Sequence, residues 1–333
     1  MTKFLIAALA VALVAVPAAL GKKPQHGPST GSARVFLPNP VAELQDESLT
    51  DQKDADYAAL QPAYHTVTLT NLDGSGFLCG DWACVYSETG NPAYSPSNTF
   101  SFNRHDDEFE QTMAYYWVTE AQKYIQSLGF GSVLRPINMQ PQLLRINQLG
   151  YDNSFATTQP RTELRFGKGG VDDAEDAEVI LHEYGHAIHF SQNFDFDGDG
   201  GAISEGFGDY WAVTVSDHIS PTPDEACVAD WDSVSYTSGP THCLRRVDRN
   251  LHYPQDLNGE VHHDGQIWSR ALWDIRNSVG PTIADTVILQ GSFDFPGTTM
   301  TDLANRTVDA AEGLFNHTIA LKVEKAFEDR GIL

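Results

Sequence analysis

Apolar side chains recur every three to four positions over residues 106–128. Phe109, Met113, Trp117, Ala121, Tyr124, Ile125 and Leu128 share one helical face, and Gly129 follows as a C-terminal cap. That predicts an amphipathic helix whose aromatic stripe belongs to a core. The same period predicts helices over 172–190, 203–216, 265–276, 299–315 and 318–330. Asp172 stands as the N-cap of the first, with Glu175 in capping-box position. Gly185 inside it costs about 1 kcal/mol relative to Ala, which a close approach by another element would explain. Period-two alternation appears between residues 64 and 86, at Val67 and Leu69, Phe77 and Cys79, and Trp82, Cys84 and Tyr86, with turn signals at Asp73-Gly74 and Gly80-Asp81. This reads as a small antiparallel β unit. Residues 143–146 and 163–166 are short strand candidates separated by a polar stretch, 148–161. Residues 22–61 are rich in Pro, Gly, Ser, Asp and Gln and read as an extended arm with little core of its own. The expected class is α+β. An arm and small β unit (22–100) precede a central region (101–260) and a mainly helical C-terminal subdomain (261–333).

Composition narrows the class. The chain has 333 residues, 41% hydrophobic and 11% aromatic, which is globular, and a formal net charge of −24. So acidic a surface repels phosphate backbones and anionic lipid, which argues against nucleic-acid and membrane partners. Residues 1–21 have the form of a secretory signal peptide: Lys3, an apolar run over 4–16, then small residues ending at Gly21. Export of a soluble monomer is the expectation. Four cysteines in an exported chain suggest disulfides, with local pairing, Cys79–Cys84 and Cys227–Cys243, preferred because each pair flanks a turn-rich loop.

The candidate chemistry sits at His182-Glu183-Tyr184-Gly185-His186. On a helix, histidines at i and i+4 lie on one face and can turn ring nitrogens to one metal ion, with zinc the usual occupant. The glutamate between them can take a proton from a metal-bound water. A catalytic zinc needs a third protein ligand. A layout with a histidine six residues after the second fails, because His189 and Gln192 occupy the relevant positions. Glu205, with eighteen residues between it and His186, supplies a carboxylate on the next predicted helix. Asp209, four residues further on the same face, can accept the other ring N–H of a zinc histidine.

With these residues in place, segment 179–212 resembles the thermolysin and fungalysin group of zinc metalloendopeptidases. Gly201-Ala202-Ile203-Ser204-Glu205 is similar to that group's third-ligand segment. The resemblance implies that His182, His186 and Glu205 hold Zn2+, that Glu183 is the general base, and that Asp209 orients a histidine. Val261-His262 followed by Gly265 and Trp268 is similar to the fungalysin segment carrying the histidine that stabilises the tetrahedral intermediate. That implies His262, with His263 as alternative and Asp256 as its orienting carboxylate. Leu244-Arg245-Arg246 resembles the segment whose arginine contacts the substrate carbonyl; Arg245 matches better than Arg246. Asn153-Ser154-Phe155-Ala156 lies where the family has a substrate-binding edge strand. The resemblance covers residues 100 to the end and implies a thermolysin-like fold and polypeptide substrates.

There are departures. The stretch 22–100 is too short for the group's large pro-region, and Phe196 stands near the position of a tyrosine that helps hold the oxyanion. Asp195, Asp197 and Asp199 with Gly200 resemble the start of an EF-hand loop, but Gly206 occupies the position of its bidentate glutamate. A Ca2+ site of another kind is weighed there against a solvated acidic turn. Asn305-Arg306-Thr307 and Asn316-His317-Thr318 match the N-glycosylation pattern. Two alternatives are carried: an aminopeptidase sharing the zinc-ligand spacing, whose Gly-x-Met-x-Asn segment is missing here, and a non-catalytic binding protein on the same scaffold.

Overall fold

The computed structural model of the protein describes residues 29–88, 90–237 and 242–333. The signal-peptide segment, 1–21, lies outside the described residues.

The stretch expected to be an extended arm carries strand β1 (Ser29–Phe36), which corrects that reading. Polar composition conceals one apolar anchor, Val35-Phe36, and both side chains are fully buried. The Phe36 ring lies 4.7 Å from Tyr64 and 4.9 Å from Phe109. A short helix α1 (Pro40–Leu44) follows, capped by Asn39, whose side chain accepts from the Ala42 N–H at 2.9 Å. Strand β2 (Tyr64–Leu72) pairs antiparallel with β1, from Phe36 opposite Tyr64 to Ser29 opposite Leu72. Strand β3 (Ala83–Glu88) does not close a hairpin with β2, contrary to the expected antiparallel unit. It leaves for a second sheet, because its side-chain partners come from later in the chain. Strand β4 (Thr99–Phe100) completes the first sheet in the order β2-β1-β4.

Helix α2 (Glu108–Ser127) is the predicted amphipathic helix; Phe109, Met113, Trp117, Ala121, Tyr124 and Ile125 are all buried. Strands β5 (Gln142–Leu149), β6 (Phe155–Thr157) and β7 (Glu163–Gly167) join β3 in the order β3-β5-β7-β6. β3, β5 and β7 run parallel, and β6 is an antiparallel edge.

Helix α3 (Ala177–Ser191) carries the histidine pair. Its N-cap is Asp176, which accepts from the Glu178 N–H at 2.9 Å, and not Asp172. A 3-10 turn over Asp173–Glu175 intervenes and shifts the helix start. Helix α4 (Gly200–Ile219) crosses α3, and a two-stranded ribbon follows, β8 (Cys227–Val228) with β9 (Arg245–Arg246). The C-terminal part is helical: α5 (Val261–Val279), α6 (Pro281–Gly291), α7 (Met300–Leu314) and α8 (His317–Glu328). Helix α6 was not foreseen, although Ala284, Val287, Ile288 and Leu289 bury a stripe and Pro281 opens its first turn. Asn316 of the second glycosylation pattern caps α8. The architecture is α+β, as expected.

Glycines set the spacing of the helices around the site. A Cβ on Gly185 would stand 3.0 Å from Gly208 Cα, so α3 and α4 touch backbone to backbone. A Cβ on Gly206 would stand 2.1 Å from Gly265 O, which does the same for α4 and α5. The close approach predicted from Gly185 is thus present. Both cysteine pairs are bridged as preferred, Cys79–Cys84 and Cys227–Cys243. No helix among the described residues is long and apolar enough to cross a membrane.

Candidate active site

Helix α3 presents His182 and His186 one turn apart, their ring centroids 5.0 Å from each other and their planes nearly perpendicular. Because α4 crosses so closely at Gly208, Glu205 reaches both rings. Its Oε2 lies 3.2 Å from His182 Nε2 and its Oε1 lies 3.5 Å from His186 Nε2. The outward nitrogens are occupied: His182 Nδ1 lies 2.9 Å from Asp209 Oδ1 and His186 Nδ1 lies 2.8 Å from Ser204 Oγ. Each ring is therefore held with Nε2 facing inward. The donor atoms of His182, His186 and Glu205 lie within 4.8 Å of one another. Glu205 Oε2 is buried without a hydrogen-bond partner. Two imidazole nitrogens and a carboxylate converging on one point fit a zinc ion with one position left for water.

Electrostatics agree with the geometry. Burial would raise the Asp209 carboxyl, but Arg245 and His182 together outweigh it and hold the group at about 2. Arg245 does so by a two-pronged ion pair, Nε to Oδ2 and Nη2 to Oδ1, both 2.8 Å. Burial pushes Glu183 up to about 7, with His182 opposing and Glu205 adding to the rise. Its Oε2 is buried and unpartnered. A carboxylate poised near neutrality suits proton transfer.

Two cavities flank Glu183. One, of about 110 Å³, is walled by Val179, Val228, Ala229 and Leu244 and bounded by Arg245. The other, of about 400 Å³, is lined by Phe155, Phe190, Phe196 and Gly201. Asn153, Ser154, His182, Glu183 and His262 border both. Edge strand β6 runs alongside, where an extended peptide could add a strand.

Of the remaining expected residues, His262 is placed at the site. It opens α5, with Nε2 3.3 Å from Glu205 Oε2. His263 turns instead to Asp264, 3.2 Å away. Arg246 leaves the site to pair with Asp224 and Asp248. Asp256 does not orient His262: its Oδ2 accepts from the His252 N–H at 2.7 Å. Glu260 takes that place, 2.6 Å from His262 Nδ1, because it is the N-cap of α5 and already receives the N–H groups of His262 and His263. The residues of the calcium expectation lie in the turn that leads into α4. Asp195, Asp197 and Asp199 belong to none of the groups of three donor atoms within 4.8 Å of one another among the described residues. Asp199 Oδ2 accepts from the Met300 N–H at 2.9 Å and from the Tyr253 hydroxyl at 3.3 Å. Asp195 Oδ1 accepts from the Asp197 N–H at 3.1 Å. Asp195 thus braces its own turn, and Asp199 ties that turn to the start of α7. His189, excluded as a ligand by spacing, is stacked between Phe194 and Phe207, and Gln192 donates to Leu289 O at 2.7 Å.

Sequence reasoning missed Ser204 and Glu260. Ser204 immediately precedes Glu205, and Glu260 stands two residues before His262, so adjacency was the available signal.

No family model and no curated protein matches the chain. Among solved structures, the precursor of protealysin, a metalloproteinase from Serratia proteamaculans, superposes with a TM-score of 0.60 at 18% identity, covering 75% of this chain and 87% of that chain. The fold is that of a metalloproteinase. At such identity the likeness is one of fold alone, and the chemistry of this chain has to be read from its own side chains.

Proposed function

We propose that the chain is a secreted zinc metalloendopeptidase that hydrolyses polypeptides. The observation that carries the reading is the convergence of His182 Nε2, His186 Nε2 and the Glu205 carboxylate beside the buried, unpartnered carboxylate of Glu183. Zinc held by these three residues would supply an activated water and polarise the scissile carbonyl. Glu183 takes the proton of the attacking water and delivers it to the leaving amine. His262, held by Glu260, donates from Nε2 to the oxygen that becomes negative. Arg245 braces Asp209, which keeps the His182 ring turned inward, and borders the substrate cavity from which it can reach a peptide carbonyl. Strand β6 offers its free edge to the substrate backbone. Two bridged cysteine pairs suit an exported chain.

Glu183→Gln tests the reading. It should keep one zinc per chain by metal analysis and lower kcat on internally quenched peptides about 10²- to 10⁴-fold. A variant that keeps most of its activity, or wild-type cleavage unaffected by a chelator, would refute it. Blocked peptides separate an endopeptidase from an aminopeptidase, which needs a free amino terminus.

A further inference from the structure

The smaller cavity beside Glu183 has an acidic floor that peptide hydrolysis does not require. Carboxylate oxygens of Asp152, Asp173 and Asp232 lie within 4.8 Å of one another. Asp173 and Asp232 are 2% and 4% exposed and both line the cavity. Asp173 Oδ2 accepts from the Ser154 hydroxyl and from the Gly167 N–H, yet its Oδ1 has no hydrogen-bond partner, and neither has Asp232 Oδ1. Asp152 accepts from the Tyr236 hydroxyl. Arg245, the one lysine or arginine lining this cavity among the described residues, forms a two-pronged pair with Asp209, and its charge only partly offsets the burial of Asp232. Leaving buried carboxylate oxygens unpaired is costly unless something with positive charge enters.

Resting on the peptidase reading above, we infer that this cavity accepts a basic substrate side chain, lysine or arginine, beside the bond that is cut. Val179, Val228, Ala229 and Leu244 form the apolar wall, which suits the methylene stem of such a side chain, and Asp173 and Asp232 receive its charged head. Burial raises the Asp173 carboxyl to about 7 and raises Asp232 as well, a penalty that an entering cation reverses. A resident calcium ion fits less well, since it takes six to eight oxygens and Asp173 Oδ2 and Asp152 Oδ1 are already engaged by the donors of Ser154, Gly167 and Tyr236. The cavity also opens beside Glu183, where a substrate side chain must pass.

Zinc-loaded full-length chain should be given matched quenched peptides that carry Lys, Arg, Leu or Glu at one position, with the cut mapped by mass spectrometry. Lys and Arg peptides should show kcat/KM at least about tenfold above Leu, with cleavage always on the same side of the basic residue. Asp232→Asn and Asp173→Asn should each collapse the Lys-to-Leu ratio towards one. Three results overturn the inference: equal or better cleavage of Leu peptides by wild type, an unchanged ratio in the folded Asn variants, or stoichiometric calcium binding that Asp232→Asn abolishes. If the Asn variants fail to fold, the wild-type ratio decides. Cleavage without basic preference sinks this inference and leaves the peptidase reading standing. If no peptide is cut, the peptidase reading falls, and fluorescence anisotropy with the same peptides decides the cavity. Tighter binding of the Lys peptide by about tenfold supports it, and equal binding overturns it.

Discussion

The two ends of helix α3 bury polar side chains in similar number and to different effect. At its N-terminus, Glu175 accepts from Arg104 Nε at 2.9 and 3.0 Å and from Trp231 Nε1 at 3.0 Å. Asp176 accepts the N–H groups of Glu178, Trp231 and Asp232, and Glu178 accepts from Ser216 Oγ and the Ala229 N–H, both 2.7 Å. Each oxygen of these three carboxylates has a donor. Two turns on, the outer nitrogens of His182 and His186 are just as well held, but their Nε2 atoms and Glu205 Oε2 face one another, and Glu183 Oε2 has no partner. Satisfied groups fasten the chain; converging unsatisfied groups wait for a ligand. Burial by itself does not tell structure from site. Convergence of unpaired groups on one point does.

That contrast can be broken experimentally. The largest effect should come from His186→Ala, which removes a ligand where nothing replaces it. Zinc content by metal analysis should fall to near zero and peptide cleavage with it; a variant that still binds one zinc tightly removes His186 from the ligand set. Arg104→Ala should cost about 3–5 kcal/mol in denaturant unfolding, because it strands the buried Glu175 carboxylate. Zinc stoichiometry of the folded fraction should stay at one per chain, so a loss of metal there would mean that the two clusters are not separable. Asp209→Asn should weaken zinc binding by about 10- to 100-fold, read by competition with a chromophoric chelator, since it supports a ligand without being one.

The last test is a pH dependence at the fastening end. Burial raises Glu178 to about 8 in the folded chain, with Asp176 adding to the rise. Its neutral form is the one the fold prefers. That contribution is complete below the unfolded value of about 4.5 and is lost as pH rises through about 8. Glu178→Gln removes the titration. The stability of the variant relative to wild type should therefore climb from pH 5 to pH 8, by at most about 1.4 kcal/mol per pH unit. A flat difference across that range would show Glu178 ionised in the fold.

Legibility followed the distance over which each element is determined. The stripe of α2 was readable because helical period and burial coincide over twenty residues. The ligands on α3 were readable because i and i+4 share a face whatever surrounds the helix. Strand β1 was not, since its partner β2 begins at Tyr64 and polar residues dilute the Val35-Phe36 anchor. Asp256 was expected from the family resemblance, and the local start of α5 gives that place to Glu260, which the sequence reading did not consider. The acidic floor was invisible: Asp152, Asp173 and Asp232 are far apart in the chain, and each reads by itself as a turn residue.

From the sequence by itself came the histidine pair, the glutamate beside it, Glu205 as the expected third ligand and Asp209 as the expected partner of a ligand histidine. Each follows from helical periodicity or from a spacing between two adjacent helices, which local geometry dictates. Only the tertiary structure decided how closely those helices meet, through the Gly185–Gly208 and Gly206–Gly265 contacts. It also decided which of two histidines and two arginines faces the site, and that Asp173 and Asp232, clustered with Asp152, line a cavity beside Glu183. Those outcomes depend on which side chains remain unpaired once the chain has closed, and pairing across long separations is set by packing.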